Sequence, residues 1–229
     1  MQNNRNLPWD AIDFVLLDLD GTLLDKYFDD HFWEEYIPEQ YAVRKQITHA
    51  SAKAYILSAY KEQEGKLVWT DIHYWSDRFG MDIPALKESV AERVAVHEGV
   101  LPFLEFLKSA GKHVSLLTNA HAKSVEIKLK QVPLKPYLKN IVSASDVGFP
   151  KEVLGYWIAA EKIVGFDKKR ALFVDDNEEV LTMAEQFGIK HLVYKSYASS
   201  QIDRGDSERF VSIRNFAQIN PFHISLETA

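Results

Sequence analysis

The chain has 229 residues, with 27 Lys and Arg against 33 Asp and Glu, a formal charge of −6. That balance excludes a broad basic face for a nucleic-acid polymer but leaves room for a small phosphorylated ligand, which needs only one local cationic site. No cysteine is present, which excludes disulfides, thiolate zinc, iron–sulfur clusters and thiol nucleophiles, and the expectation is a reducing, cytoplasmic setting. The opening MQNNRNLPWD has no apolar stretch of the secretory kind. No apolar run approaches the roughly 18 residues of a membrane span, so no membrane partner is expected.

Phe14 to Asp18 (FVLLD) is a short apolar run that stops on a carboxylate, the pattern of a buried parallel strand. Gly21 and Thr22 then turn the chain. From about Phe28 to Glu98 no buried-strand run appears. Thr48 to Gln63 has a Thr N-cap and an apolar face at Ala52, Tyr55, Ile56 and Ala59. Asp71 to Gly80 reads as a helix closed by glycine, and Asp82 to Val96 as one with Pro84 in its first turn. This stretch predicts an all-helical unit of three to four helices. Strand and helix then alternate: helix Leu101–Ala110, strand His113–Thr118, helix Ala122–Gln131, strand Asn140–Ser143, helix Glu152–Val164, strand Ala171–Asp175, helix Glu178–Phe187, strand Lys190–Tyr194. After about Lys195 the chain is polar and predicts no clear element. Repeated β–α units imply an α/β fold, a doubly wound parallel sheet with helices on both faces. The expected organisation is a core of residues 1–27 and 99–229, with a helical unit, 28–98, inserted after the first strand.

In such sheets the ligand sits beyond the carboxyl ends of the strands. The predicted strands end on Asp18, Thr118 and Asp175, with Asp20 and Asp176 just past two of them and Lys151 on the loop after the third. Four carboxylates on one short edge repel each other and call for a bound cation, which an all-oxygen donor set makes Mg²⁺. A carboxylate facing Mg²⁺ and a phosphate can act as a nucleophile, and a second, two residues on, can protonate the leaving oxygen. A Thr hydroxyl, a backbone N–H and a Lys ammonium would hold the phosphate oxygens.

The run Asp18-Leu19-Asp20-Gly21-Thr22-Leu23-Leu24-Asp25, with Leu116-Leu117-Thr118-Asn119, Lys151 and Phe173-Val174-Asp175-Asp176, resembles the four motifs of the haloacid dehalogenase-like hydrolases in order and spacing. The helical insertion is similar to that superfamily's C1 cap. The resemblance implies Asp18 as nucleophile forming an aspartyl-phosphate and Asp20 as general acid and then base. It implies Thr118, Lys151 and the Asn119 backbone N–H as phosphate ligands. Asp18, the Asp20 carbonyl oxygen and Asp176 would hold Mg²⁺, with Asp175 direct or through water. Family members often carry Pro after the motif lysine, whereas here Pro150 precedes Lys151 and Glu152 follows it. The carboxylate at Asp20 favours phosphoryl chemistry, because the dehalogenases generally lack it.

Tyr27–Trp33, His73–Ser76, Leu117–His121 and Gly148–Glu152 also resemble the bacterial GMP/IMP nucleotidases. That resemblance implies a 5′-nucleotidase for purine mononucleotides, with His121, Trp33 and Trp75 as possible substrate contacts. The insertion's aromatics Phe32, Trp33, Trp69, Tyr74 and Trp75 equally suit a small core or a base-stacking shelf. The alternatives are a phosphatase or phosphomutase for a sugar phosphate, a phosphoglycolate phosphatase, or a non-catalytic binding protein on the same fold.

Overall fold

The computed structural model describes residues 7–221. Six strands, β1 Phe14–Leu17, β2 His113–Thr118, β3 Asn140–Ser143, β4 Ala171–Asp175, β5 His191–Lys195 and β6 Val211–Ile213, form one parallel sheet in the order β3-β2-β1-β4-β5-β6. Strand β1 is central because both its faces are apolar. Leu16 packs with α8 (Ala144–Val147), α9 (Leu154–Val164) and α10 (Glu178–Phe187) on one side. Val15 and Leu17 pack on the other, with α6 (Val100–Ser109) and α7 (Ala122–Gln131). The register sets Leu17 level with Leu116 and Val174. The next residues, Asp18 and Asp175, therefore leave the sheet side by side.

Between β1 and β2 the chain builds the helical insert. Helix α1 (Tyr27–His31) runs through a π-turn, Phe32–Tyr36, into α2 (Ile37–Lys45); α3 (His49–Lys61), α4 (Ile72–Phe79) and α5 (Ile83–Glu88) follow. The predicted Thr48 cap holds, its Oγ1 accepting from Ser51 N at 3.2 Å; Gly80 closes α4 as expected, and Asp71 caps its start, Oδ1 accepting from His73 N at 2.8 Å. The helices bury a core of their own that includes Phe32, Ile37, Ile56, Trp75 and Phe79. Two linkers join insert and sheet, bridged at Leu24 and Val96, with Asp25 N donating to Ala95 O at 2.9 Å.

Three expectations need correction. The helix expected over Asp82–Val96 stops at Glu88 and continues as a 3₁₀ turn, Ala91–Arg93, because Val96 must pair with Leu24 on the way back to the sheet. The helix expected from Glu152 starts at Leu154, since the residues before it form a turn that the site holds. The stretch after Lys195 carries a sixth strand, and its Phe210, Ile213, Phe216 and Ile219 are buried against the core, with Phe216 stacked 4.8 Å from Phe103. Among the described residues no helix is long and apolar enough to cross a membrane.

Candidate active site

The carboxyl edge of the sheet gathers Asp18, Thr118, Lys151, Asp175 and Asp176, all buried. Lys151 Nζ lies 2.5 Å from Asp18 Oδ1 and 2.6 Å from Asp175 Oδ2, so one ammonium bridges two strand ends. Burial opposes that charge, yet Asp175 and Asp18 outweigh it and hold the lysine well above its ordinary range. Asp175 Oδ1 accepts from Asn177 N at 2.8 Å, so both of its oxygens are engaged. Thr118 Oγ1 accepts from Ala120 N at 3.0 Å, which leaves the hydroxyl proton free to donate to a ligand.

The Asn119 side chain does work that sequence reasoning assigned to its backbone alone. Its Oδ1 accepts from Lys151 N at 2.8 Å, and its Nδ2 donates to both Glu152 carboxylate oxygens at 2.9 and 3.0 Å. Trp157 Nε1 donates to Lys151 O at 2.8 Å. Glu152, where the resemblance led one to expect Pro, thus clamps the amide that fixes Lys151. The departure from the motif has a structural compensation.

Asp18, Asp175 and Asp176 each offer an oxygen within 4.8 Å of the others. Burial, then the charge of Asp18, pushes the Asp176 carboxyl up to about 6, and burial pushes Asp175 well up as well. Three crowded, buried carboxylates with all-oxygen donors fit a hard divalent cation such as Mg²⁺. Gly21 leaves the room for them. Its φ is +92°, and a Cβ there would lie 2.5 Å from Asp176 Oδ2. Gly21→Ala should therefore displace Asp176 and raise the divalent-cation concentration for half-maximal activity by about tenfold or more, with about 1–3 kcal/mol of backbone strain. A cation titration with a parallel melting curve checks this, and an unchanged half-maximal concentration contradicts it.

Asp20 stands at the rim, its side chain 20% exposed. Burial, then the neighbouring Asp29 charge, pushes its carboxyl up to about 7, against the pull of Lys128. Lys128 Nζ lies 2.7 Å from Asp20 Oδ1 and also pairs with Asp29, which in turn accepts from Lys87 Nζ at 2.6 Å. Sequence reasoning missed Lys87, Lys128 and Asp29.

A cleft of about 930 Å³ separates the sheet edge from the insert, lined on the core side by Asp18, Asp20, Thr118 and Lys151, and on the insert side by Trp33, Tyr60 and Trp69. Trp33 is half-buried and Trp69 is 39% exposed. Trp75 is 1% exposed, stacked on Phe79 and donating through Nε1 to Trp69 O at 2.9 Å. Trp75 is thus packed mostly into the insert core, where it holds Trp69, and it still borders the cleft. His121 caps α7, its Nδ1 accepting from Lys123 N at 3.2 Å, while its Nε2 lies 3.7 Å from Asp71 Oδ1 of the insert.

Residues 12–188 match the family model of the haloacid dehalogenase-like hydrolases. The chain belongs to that family. It is 36% identical over 216 residues to the GMP/IMP nucleotidase YrfG of Escherichia coli K12, covering 94% of this chain and 97% of that protein. Among solved structures, an HAD phosphatase from Thermococcus onnurineus superposes with a TM-score of 0.78 at 20% identity, over 92% of this chain and 97% of that one. A predicted phosphoglycolate phosphatase from Haemophilus somnus 129PT does so with a TM-score of 0.66 at 18% identity, over 94% and 98%. At those identities the two structures speak for the fold. Family and relative together make this haloacid dehalogenase-like chain an enzyme, a phosphoric monoester hydrolase.

Proposed function

We propose that the enzyme hydrolyses purine 5′-mononucleotides, GMP and IMP, through an aspartyl-phosphate on Asp18, with Mg²⁺ as cofactor, in the cytoplasm. The observation that carries this reading is the two-sided cleft: groups for phosphate chemistry line the core wall, and Trp33, Tyr60 and Trp69 line the facing wall. The likeness to a GMP/IMP nucleotidase over nearly the whole chain supports the same substrate class.

The roles follow from position. Asp18 attacks phosphorus with the carboxylate oxygen not bridged to Lys151. Lys151 and the Thr118 hydroxyl neutralise and orient the phosphate oxygens, and the Asn119 backbone N–H adds a donor while its side chain keeps Lys151 aimed. Asp20, with a carboxyl near neutrality, gives its proton to the leaving ribose 5′-oxygen and then takes one from the water that opens the acyl-phosphate. Asp18, Asp176 and the Asp20 carbonyl oxygen would hold Mg²⁺, which when bound offsets the charge on the transferring phosphoryl group. Asp175, with both oxygens engaged, serves by holding Lys151 and would meet the cation directly or through water. The insert covers the strand ends and keeps bulk water from the acyl-phosphate. In this reading the described residues of 1–27 and 99–229, the larger part of the chain, form the hydrolase core, and residues 28–98 form the cap.

A panel of phosphorylated metabolites tests the substrate. GMP and IMP should exceed glucose phosphates and phosphoglycolate in kcat/KM by about tenfold or more, since stacking a base contributes about 1–3 kcal/mol. Trp33→Ala and Trp69→Ala should raise KM for GMP by about fivefold or more, with little change for p-nitrophenyl phosphate. A sugar phosphate that outperforms every nucleotide, or phosphate returned to the substrate as a mutase would do, removes the nucleotidase reading.

A further inference from the structure

Two buried lysines near the site have no part in the scheme above. Lys128 projects from α7 of the core, and Lys87 from α5 of the insert; both side chains are 1% exposed. A lone buried ammonium costs several kcal/mol, so both need partners. They share Asp29, at the start of α1, whose Oδ1 accepts from Lys87 at 2.6 Å and whose Oδ2 meets Lys128. Lys87 also sits over the rings of Phe32 at 4.5 Å and Trp33 at 5.1 Å. Lys128 then reaches Asp20 Oδ1 at 2.7 Å. That oxygen is buried and receives no well-aligned hydrogen bond, and among the described residues Lys128 is the one cation within ion-pair distance of it.

The row Asp20–Lys128–Asp29–Lys87 alternates carboxyl and ammonium groups and crosses from core to insert. Two of its members belong to each, and α5 packs directly against α7. Asp29 and Lys87 sit on the insert, so apart from Asp20 the ion pair that holds Lys128 comes from across the core–insert boundary.

We propose that Lys128 is a positioning residue that sets the Asp20 carboxyl toward the leaving-group oxygen, and that Asp29 and Lys87 hold Lys128 in place only while the insert is seated on the core. The proposal rests on the assignment of Asp20 as the proton donor. It makes proton delivery depend on closure, through side chains that touch neither phosphate nor cation.

The test compares an ester that needs protonation, GMP, with one that scarcely does, p-nitrophenyl phosphate, by kcat/KM, which reports the first half-reaction. Lys128→Met should cost about 100-fold on GMP and less than about fivefold on p-nitrophenyl phosphate. Asp29→Asn should discriminate in the same direction by a smaller factor. In Asp20→Asn, adding Lys128→Met should cost little more, because the lysine acts through that carboxyl. A structural role would instead lower both esters alike and add to the Asp20→Asn loss, and either result overturns the proposal. If Lys128→Met does not fold, Lys128→Arg keeps the charge but moves the donor; the proposal requires it to lose more on GMP than on p-nitrophenyl phosphate, and equal losses overturn it. If Asp20→Asn itself fails to discriminate between the esters, the proton-donor assignment falls and the proposal with it. Discrimination by Asp20→Asn without discrimination by Lys128→Met overturns the proposal alone.

Discussion

Asp18→Asn should lower kcat on p-nitrophenyl phosphate and on GMP by about 10⁴-fold or more, because loss of an attacking group removes the covalent route outright. The fold should persist. Asn has nearly the same shape, keeps a carbonyl oxygen for Lys151 at the position of Asp18 Oδ1, and sits on a backbone fixed by the Asp18 N to Val174 O bond of 3.1 Å. Replacing one of three crowded carboxylates also relieves repulsion with Asp175 and Asp176. The melting temperature in the absence of divalent cation should therefore stay level or rise. The measurement pairs a single-turnover assay with a melting curve. More than a few per cent of residual turnover on a folded protein means that another group attacks phosphorus. Loss of turnover together with loss of folding gives Asp18 a structural role instead.

The sheet and the strand-end residues were legible because their cause is local. A strand buried on both faces must read as a continuous apolar run, and the residue that ends such a run is the one the sheet edge presents, as with Asp18 after FVLL and Asp175 after ALFV. Lys128 was not legible for the opposite reason. Helix α7 places Val125 and Leu129 on the sheet, which makes Lys128 read as a solvated lysine. Yet Ser124, Ile127 and Lys128, spaced i, i+3 and i+4, are buried too, because α5 covers the second face. Ile127 was the available signal, an apolar residue on a face expected to be wet. Asp29 and Lys87 carried none, since a charge row closed by residues from four separate elements has no period. The last strand escaped because β6 has three residues and its Ile213 is buried in a cluster drawn from distant parts of the chain, Phe103 among them. Trp75 and Trp69 could not be told apart by composition. Both border the cleft, and only the packing of α4 shows that the first is almost wholly buried while the second stays exposed.

Cation dependence should change with pH in a direction fixed by the same crowding. An exposed aspartate titrates near 4, whereas burial and the Asp18 charge push Asp176 up to about 6, and burial pushes Asp175 in the same direction. A carboxyl raised in the folded state binds protons there more tightly than in the unfolded chain. Its contribution to stability is full below about pH 4 and is lost as pH rises through about 6. The cation-free protein should thus lose stability across that window. Mg²⁺ competes with those protons and restores the balance only where the carboxylates are ionised. At about 100 times its dissociation constant a ligand adds about 2.7 kcal/mol, which for a chain of this size is a rise of about 5–10 °C in melting temperature. We expect that rise at pH 8 and less than about 2 °C at pH 5 with the same Mg²⁺. Chelator should abolish turnover, Mg²⁺ should restore it, and Ca²⁺ should restore it poorly, because its longer and looser coordination misplaces the phosphate oxygens relative to Asp18. Asp176→Asn should remove most of the pH 8 shift, whereas Asp175→Asn should act mainly through Lys151, lowering turnover more than cation affinity. An equal Mg²⁺ shift at pH 5 and pH 8 would place the cation away from these carboxylates, and full turnover in excess chelator would remove it from the reaction.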